Sequence, residues 1–308
     1  HTEIPIEDVH ACKELTVLAE SDEAGLFLAM AEDGRKIFVM GHKNPDADCI
    51  GAALGIYRLS KTLGKSTYIV MDKDCPAIEP IVEGIYKERA DEEEDIFVTN
   101  EEAMLLKDKS AMLIVVDVNL PAMTECPELL KSVSTIVVLD HHRQNNETIK
   151  NAVVSYVEPY ASSTCEMVAE ILQYIVDKPK LKNIEADAMY SGILVDTDNF
   201  VIKAGVRTFE AAAFLRRAGA DVTRVRKMFR EDMEHCRIRT AIINKAEIYM
   251  DEFAISTFDG ANVSGATVVG AKAANALLNI QGIRGSFVLT SLQDCIYISA
   301  RSIDELNV

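Results

Sequence analysis

The sequence of 308 residues lacks a hydrophobic run long enough to cross a membrane. A transmembrane helix needs about 20 mostly apolar residues, and no apolar stretch here approaches that length. The start of the chain also lacks the pattern of a secretory signal peptide, and its first residue is histidine instead of methionine. We therefore expect no membrane segment in this chain. We also expect it to be part of a longer or processed protein, and we leave open whether a preceding module anchors that protein to a membrane.

Positive charge is scarce in this chain. Its 32 lysine and arginine residues are outnumbered by 49 aspartate and glutamate residues, which gives a formal net charge of −17. Binding to duplex nucleic acid depends on basic side chains that neutralise phosphates, so the charge argues against such a partner. A small phosphorylated ligand stays compatible with it, because bound divalent cations can reverse the local potential.

Paired-cysteine motifs are missing as well. The seven cysteines are an odd number, they are widely scattered, and none forms a CxxC pair. This pattern indicates free thiols in a reducing compartment and excludes a disulfide framework or a structural zinc knuckle. We therefore expect a cytoplasmic location.

The sequence does contain a strong α/β pattern. Its composition, 48% hydrophobic and 26% charged, is typical of a globular protein with one large domain or two ordinary ones. Short apolar runs predict buried strands at residues 36–40, 66–72, 111–117 and 134–140, and a helical pattern fills residues 50–64. Strands that alternate with helices predict a parallel sheet, and ligands of such sheets bind at the carboxyl ends of the strands.

The second half of the chain is mainly helical and then changes its character. Helical patterns cover residues 162–176, 184–200 and 207–249, and the last of these, rich in both charge signs, predicts a connector. After Tyr249 the order strand, helix, strand, strand predicts a second and smaller α/β unit. The acidic run 91–95 is interpreted as a solvated loop.

Histidine and aspartate side chains follow or end these predicted elements. They are His42, Asp46, Asp48, Asp117, Asp140, His141, His142 and Asp196. Three of the six histidines of the chain belong to this set. Carboxylates and imidazoles without thiolates suit a hard or borderline ion such as Mn²⁺. Eight such groups are too many for one ion and suit two ions, about 3.5–4 Å apart, that share a bridging carboxylate.

Each piece of this set also has an ordinary structural explanation. An aspartate at a strand end is normal turn chemistry, and pairs of histidines are common on protein surfaces. The spacing HxxxDxD works as a ligand motif because the chain is expected to turn sharply at Asn44 and Pro45. It is the combination, in this order along predicted strands and helices, that favours a metal centre.

The motifs GHKNPDAD, VVD, DHHR and GILVDTDNF resemble the four motifs of the DHH phosphoesterase superfamily. Its members include RecJ-type exonucleases, nanoRNases, family II inorganic pyrophosphatases and cyclic-di-AMP phosphodiesterases. The stretches YVEPYASSTCEMV, RTFEAAAFLRRAGAD and ISARS are most similar to the catalytic half of GdpP-type cyclic-di-AMP phosphodiesterases. The resemblance covers nearly the whole chain from about residue 36.

The resemblance implies an organisation of the chain and a set of metal ligands. It implies a leader helix or linker over 1–35, a parallel-sheet DHH catalytic domain with flanking helices over 36–230, and the connector end with a DHH-associated substrate-binding domain over 231–308. One Mn²⁺ would be held by His42, Asp46 and Asp117. The other would be held by Asp48, Asp117, His141 and Asp196, with Asp117 bridging and with Mg²⁺ or Co²⁺ as substitutes. Asp140 and His142 would support these ligands or face a phosphate.

Substrate contacts are implied mainly in the ISARS stretch. Its residues Ser299, Arg301 and Ser302 would bind the rest of the substrate, and Arg207 and the helix cap Ser162–Ser163 could also face phosphate. A surface arginine and a plain helix cap are the alternatives for these groups. Cys49 places a thiol close to the metal ligands. In the family a glycine-rich motif follows this stretch, but the given sequence stops at Val308. If the motif is absent, we expect metal binding to survive and substrate binding to suffer.

The implied activity is two-metal hydrolysis of cyclic-di-AMP to the linear dinucleotide pApA. Hydroxide would attack phosphorus in line with the leaving 3′ oxygen. The alternatives are a nanoRNase or pyrophosphatase activity, or a nucleotide-binding module without catalysis. The partner is expected to be a cyclic dinucleotide, and the long mixed-charge helices suggest a homodimer.

Overall fold

The computed structural model describes residues 35–71, 75, 77–90, 95–175 and 180–303. The chain divides into two compact units, with the boundary between Phe229 and Arg230. Apart from Arg35, the expected leader segment lies outside the described residues, as does most of the acidic run at 91–95.

A six-stranded parallel sheet lies at the centre of the first unit. Its strands are β1 (Ile37–Met40), β2 (Thr67–Val70), β3 (Phe97–Val98), β4 (Met112–Val116), β5 (Thr135–Asp140) and β6 (Val154–Val157). Their order across the sheet is β3-β2-β1-β4-β5-β6, and every pair is parallel. The predicted parallel sheet is confirmed. The sequence patterns did not predict β3 and β6, since β3 has two residues and the edge strand β6 is only half-buried.

Helices cover both faces of this sheet. They are α1 (Ala47–Thr62), α2 (Glu79–Glu88), α3 (Asn100–Leu106), α4 (Pro127–Ser132), α5 (Thr164–Ile175), α6 (Asn183–Asp196), α7 (Val206–Arg217) and α8 (Val222–Met228). Alternate residues along each strand point to opposite faces of the sheet and belong to two different hydrophobic cores. Ile37 and Val39 belong to one core, which also contains residues of α1, α2, α5, α6, α7 and α8. Phe38 and Met40 belong to the other, which also contains residues of α3 and α4. Burial on both faces explains why the strands are continuously apolar.

The second unit contains a four-stranded mixed sheet with two helices. Its elements are α9 (Met233–Asn244), β7 (Glu247–Tyr249), β8 (Phe253–Asp259), α10 (Ala266–Leu278), β9 (Gly285–Leu292) and β10 (Cys295–Ser302). The sheet order is β10-β9-β8-β7, in which only β8 and β9 are parallel. Ile242, Val269 and Leu277 of the helices pack on Ala254 and Val288 of the sheet. The strand-helix-strand-strand prediction is therefore confirmed, with the short exposed β7 added.

The region predicted as a connector forms three separate helices. Ala211 and Leu215 of α7 and Val225 of α8 are buried in the core of the first unit. Ile242 of α9 is buried in the core of the second unit. Mixed charge on these helices therefore marks their solvent-facing sides. Among the described residues, none of the helices combines the length and the apolarity required to cross a membrane.

Candidate metal centre

Three neighbouring strands of the first unit bring the predicted ligands to one edge of the sheet. His42 follows β1, Asp117 follows β4, and His141 and His142 follow β5. Because β4 lies between β1 and β5, the carboxyl ends of these strands are adjacent. This is the edge at which parallel sheets bind ligands.

Two helices add carboxylates to the same edge. Asp46 caps the N-terminus of α1 and Asp48 lies in its first turn, while Asp196 is the last residue of α6. The chain bends at Lys43 and Asn44, next to the expected turn. The helix begins at Ala47, three residues earlier than the apolar periodicity indicated. The structure thus brings the expected residues of all four motifs together.

Asp117 lies at the middle of this cluster and faces both sides of it. Its Oδ2 is 3.5 Å from Nε2 of His42, and its Oδ1 is 3.5 Å from Nε2 of His141. The backbone of Asp117 has φ +59°, in the left-handed region that non-glycine residues rarely adopt. Its N–H donates to the carbonyl of Leu139, and Oδ1 accepts from the hydroxyl of Thr164, 3.1 Å away. Strain of this kind is held by surrounding structure and is typical of functional sites.

His141 lies close to two further carboxylates, those of Asp48 and Asp196, on the other side of Asp117. Its Nε2 lies 3.1 Å from Oδ2 of Asp196 and 3.9 Å from Oδ2 of Asp48. Although it is buried and close to these oxygens, this nitrogen has no hydrogen bond of acceptable geometry. An orphaned buried nitrogen is costly to leave unpaired. Ligand atoms of Asp48, His141 and Asp196 lie within 4.8 Å of one another, so this group fits a divalent ion.

The group around His42 differs from the expectation in one respect. Nε2 of His42 is 3.9 Å from Oδ1 of Asp46, but that oxygen accepts hydrogen bonds from the N–H groups of Asp48 and Cys49, each at 3.0 Å. Asp46 is also 47% exposed. Within the described part of the chain, the group formed with His42 and Asp117 contains the thiol of Cys49 in place of Asp46. The ligand atoms of these three residues lie within 4.8 Å of one another.

Asp48 is held by the first turn of α5. The N–H of Thr164 donates to its Oδ2 at 2.7 Å, and the N–H of Cys165 donates to its Oδ1 at 2.8 Å. Burial, followed by the charge of Asp196, nonetheless raises the pKa of Asp48 to about 6. A cation at this position would stabilise the charged form of Asp48 and so offset both causes of the shift.

The other site residues show the same electrostatic strain. Burial, and then the charge of Asp48, raises the pKa of Asp117 well above its usual range. Burial lowers the pKa of His42 despite the nearby Asp46. For His141 burial is outweighed by Asp196 and Asp48, so its pKa is raised. Several carboxylates crowded in a buried space therefore create a strong demand for positive charge.

A hydrogen-bond network orients the second histidine of the DHHR motif. Nδ1 of His142 lies 2.8 Å from Oδ1 of Asp140, and the other oxygen of Asp140 accepts from the Asn119 amide at 2.5 Å. Asp140 is fully buried, whereas the His142 side chain is 59% exposed. Neither Asn119 nor Thr164 was predicted from the sequence to belong to the site. The sequence signals for them were an asparagine two residues after the strand-end Asp117 and the Ser-Ser-Thr run whose threonine begins α5.

The expected phosphate-facing residues of the first unit have protein partners. Arg207 makes two hydrogen bonds to the carboxylate of Glu170, at 2.8 and 2.7 Å. The hydroxyl of Ser162 donates to Glu166 at 2.5 Å, and Ser163 accepts from the Glu166 N–H. Ser162 and Ser163 therefore serve helix α5, and a phosphate contact of Arg207 stays a prediction.

The expected substrate residues of the second unit lie on β10. Ser299, Arg301 and Ser302 follow one another along its last four positions. The guanidinium of Arg301 donates to the Asn275 side chain at 2.7 Å and to the carbonyl of Ala300. Their contact with substrate also stays a prediction.

Close packing of α1 against α6 fixes the spacing of their carboxylates. A Cβ at Gly192 of α6 would lie 2.8 Å from the Asp48 Cα and Oδ1. A Cβ at Gly51 of α1 would lie 2.7 Å from the carbonyl oxygen of Ala188. Only glycine lets these backbones approach so closely. Asp48 and Asp196 are thus held by a direct helix-to-helix contact.

The comparison with protein families agrees with this geometry. The sequence model described as the DHH family, N-terminal domain, matches residues 36–193. The chain belongs to the DHH family. A second model, that of homoserine O-succinyltransferase, matches residues 1–52, most of which lie outside the described part of the structure.

Curated relatives of this DHH-family chain carry named activities. The cyclic-di-AMP phosphodiesterase PdeA of Listeria monocytogenes is 39% identical over 276 residues, which are 89% of this chain and 42% of that protein. The cyclic-di-AMP phosphodiesterase GdpP of Bacillus subtilis is 36% identical over 90% of this chain and 42% of that protein. The chain thus spans less than half the length of these relatives.

A solved structure shares the fold of this chain. An exopolyphosphatase-related protein from Bacteroides fragilis superimposes with a TM-score of 0.73 at 18% sequence identity. The match covers 93% of this chain and 84% of that one. Similarity at this level of identity establishes the α/β fold.

Proposed function

We propose that this chain is the catalytic part of a metal-dependent phosphodiesterase that hydrolyses cyclic-di-AMP to pApA. The observation that carries the proposal is the division of the Asp117 carboxylate, which turns one oxygen toward His42 and the other toward His141. A carboxylate arranged in this way can bridge two ions. The names of the PdeA and GdpP relatives support the choice of substrate.

The two sides of Asp117 support the ligand sets that the motifs imply. We assign His42, Asp46 and Asp117 to one ion, and Asp48, Asp117, His141 and Asp196 to the other. We expect Mn²⁺ from this mixture of carboxylates and imidazoles, with Mg²⁺ or Co²⁺ as substitutes. When bound, such ions neutralise phosphate charge and make a hydroxide available near neutral pH.

The protein contributes positions fixed before substrate arrives. The N–H groups of Thr164 and Cys165 hold both oxygens of Asp48, and the hydroxyl of Thr164 holds Asp117. Because these ligands need no rearrangement, substrate binding need not supply the energy to order them.

His142 is placed to act on the phosphate itself. Asp140 occupies its Nδ1, so Nε2 is the ring nitrogen available for the substrate. A proton at this nitrogen would stabilise a phosphate oxygen or pass to the leaving 3′ oxygen. Asp140 would then be a positioning residue, as would Asn119 behind it.

Substrate recognition away from the reacting phosphate is assigned to Arg207, Ser299, Arg301 and Ser302. On binding substrate, Arg207 would replace its hydrogen bonds to Glu170 by hydrogen bonds to a phosphate oxygen. Arg301 would do the same with its hydrogen bond to Asn275. The planar guanidinium suits such bidentate contacts. Replacing either arginine by lysine should weaken binding and leave the bound metal unchanged.

Three substrates and one variant test the proposal. The protein with Mn²⁺ is incubated separately with cyclic-di-AMP, short RNA and pyrophosphate, and the products are separated by chromatography. We expect pApA from the cyclic dinucleotide. Asp117→Ala should abolish both turnover and metal occupancy measured by elemental analysis, because it removes the shared ligand.

Asp108→Ala is the matched control, since Asp108 lies in the exposed loop that precedes the same strand β4. It should keep metal and turnover. Cleavage of RNA or pyrophosphate alone would move the chain to the alternative activities. Two bound ions without turnover of any substrate would favour a nucleotide-binding module.

We also propose a homodimer in a reducing, cytoplasmic setting. The odd number and wide scatter of the seven cysteines support such a compartment. Light scattering of the purified protein, which should give twice the mass of one chain, tests the dimer.

A further inference from the structure

Cys49 places a sulfur atom beside the first metal group. It lies in the first turn of α1, where its N–H donates to the capping carboxylate of Asp46. Its side chain is almost fully buried. A Cβ built on Gly41 would lie 2.0 Å from this sulfur. The thiol therefore fills the space next to the strand end that leads into His42.

The position of this sulfur relative to its neighbours suits coordination. Ligand atoms of His42, Cys49 and Asp117 all lie within 4.8 Å of one another. Tetrahedral bonds of about 2.0–2.3 Å place ligand atoms about 3.3–3.8 Å apart, so side-chain shifts of about 1 Å or less would bring the three groups onto one ion. Asp46, in contrast, has one oxygen committed to two backbone N–H groups and its side chain half in solvent.

We propose that Cys49 is a ligand of the ion held by His42 and Asp117, and that this position selects a thiophilic ion such as Zn²⁺ or Co²⁺ over Mn²⁺. The inference rests on the metal centre proposed above. On binding, the thiol gives its proton to solvent and the sulfur forms the bond to the metal.

The two metal positions would then differ in their chemistry. Imidazole, thiolate and carboxylate form a mixed set that favours zinc-like ions. The position of Asp48, Asp196 and His141 is rich in oxygen and favours Mn²⁺ or Mg²⁺. When ions compete, we therefore expect Zn²⁺ or Co²⁺ to displace Mn²⁺ at the Cys49 position before it does so at the other, while Mn²⁺ alone can fill both positions.

Cobalt provides a direct readout of the sulfur bond. The metal-free protein is titrated with Co²⁺, and a thiolate ligand should give a near-ultraviolet charge-transfer band that oxygen and nitrogen ligands do not give. X-ray absorption of the zinc-loaded protein should show a sulfur neighbour at about 2.3 Å. This second measurement needs no variant and so does not depend on how a variant folds.

Cys49→Ser removes the sulfur with little change of shape, and Cys126→Ser, at another buried thiol of the same unit, is its control. The band should disappear only in Cys49→Ser. Zn²⁺ affinity should fall by about tenfold or more, since even the loss of a supporting residue costs that much, while Mn²⁺ affinity changes far less.

The outcomes separate this inference from the proposed function. Co²⁺ that binds without the band, together with zinc that has only nitrogen and oxygen neighbours, would overturn the role of Cys49 and leave the phosphodiesterase centre intact. A band that persists in Cys49→Ser would also overturn it. Failure of Co²⁺, Zn²⁺ and Mn²⁺ to bind at all would overturn both.

Discussion

Replacement of Gly192 by alanine tests whether the contact between α1 and α6 holds the metal centre. The new Cβ would lie 2.6 Å from the Cys165 sulfur and 2.8 Å from the Cα and Oδ1 of Asp48. Atoms in good contact are about 3.5–4.0 Å apart, so the two helices must separate. Overpacking of this kind costs about 1–3 kcal/mol. Alanine also gains up to about 1 kcal/mol of helix propensity over glycine, which masks part of that cost.

Gly84→Ala supplies the control for the helix propensity. Gly84 lies within α2, and its added Cβ would meet only the flexible end of the Ile184 side chain. Urea unfolding of the metal-free proteins should therefore show Gly192→Ala to be less stable than Gly84→Ala by about 1–3 kcal/mol. Calorimetry should show weaker Mn²⁺ binding in Gly192→Ala alone, because Asp48 moves away from Asp196. Equal stability and equal Mn²⁺ affinity in the two variants would refute the role of this contact.

Two further predictions concern the groups around the ligands. Asn119→Ala removes the amide that donates to the buried Asp140. It should lower the free energy of unfolding by about 1–3 kcal/mol and reduce turnover more than metal occupancy. Unchanged turnover would show that Asn119 does not position His142 through Asp140. The pKa of Asp48 is raised from 3.8 to about 6 by burial and then by Asp196, so in chelator its contribution to stability is complete below pH 3.8 and is lost as the pH rises through 6. At about 1.4 kcal/mol per pKa unit, the free energy of unfolding of the wild type should fall by about 3 kcal/mol relative to that of Asp48→Asn between these two pH values. Urea unfolding at each pH measures the difference. A difference that does not change with pH would contradict the prediction.

Those parts of the structure that follow from continuous local patterns were predictable. β1, β4 and β5 are apolar runs that end at polar ligands, and the parallel arrangement then requires His42, Asp117 and His141 to meet at one edge. The short β3 and the half-buried β6 carry no comparable pattern. The division of the predicted connector into three helices could not be predicted from the sequence. Its mixed charge reflects only the exposed sides of those helices and does not mark where one helix ends and the next begins.

The supports of the ligands were less predictable, because they depend on contacts between distant parts of the chain. Thr164 reaches Asp48 across 116 positions, and Asn119 reaches Asp140 from a loop without a motif. The nearness of Cys49 to His42 depends on the missing side chain of Gly41, which becomes meaningful only once strand and helix are packed.

The location of the ligands within one unit has a thermodynamic consequence. All of the proposed metal ligands lie between His42 and Asp196, well before the boundary at Phe229. Metal that binds only the folded form adds stability by mass action, about 2.7 kcal/mol when its free concentration is a hundred times the dissociation constant. That gain belongs to the first unit. Heating in the presence of metal should therefore raise the melting temperature of the parallel-sheet unit, which contains the ligands.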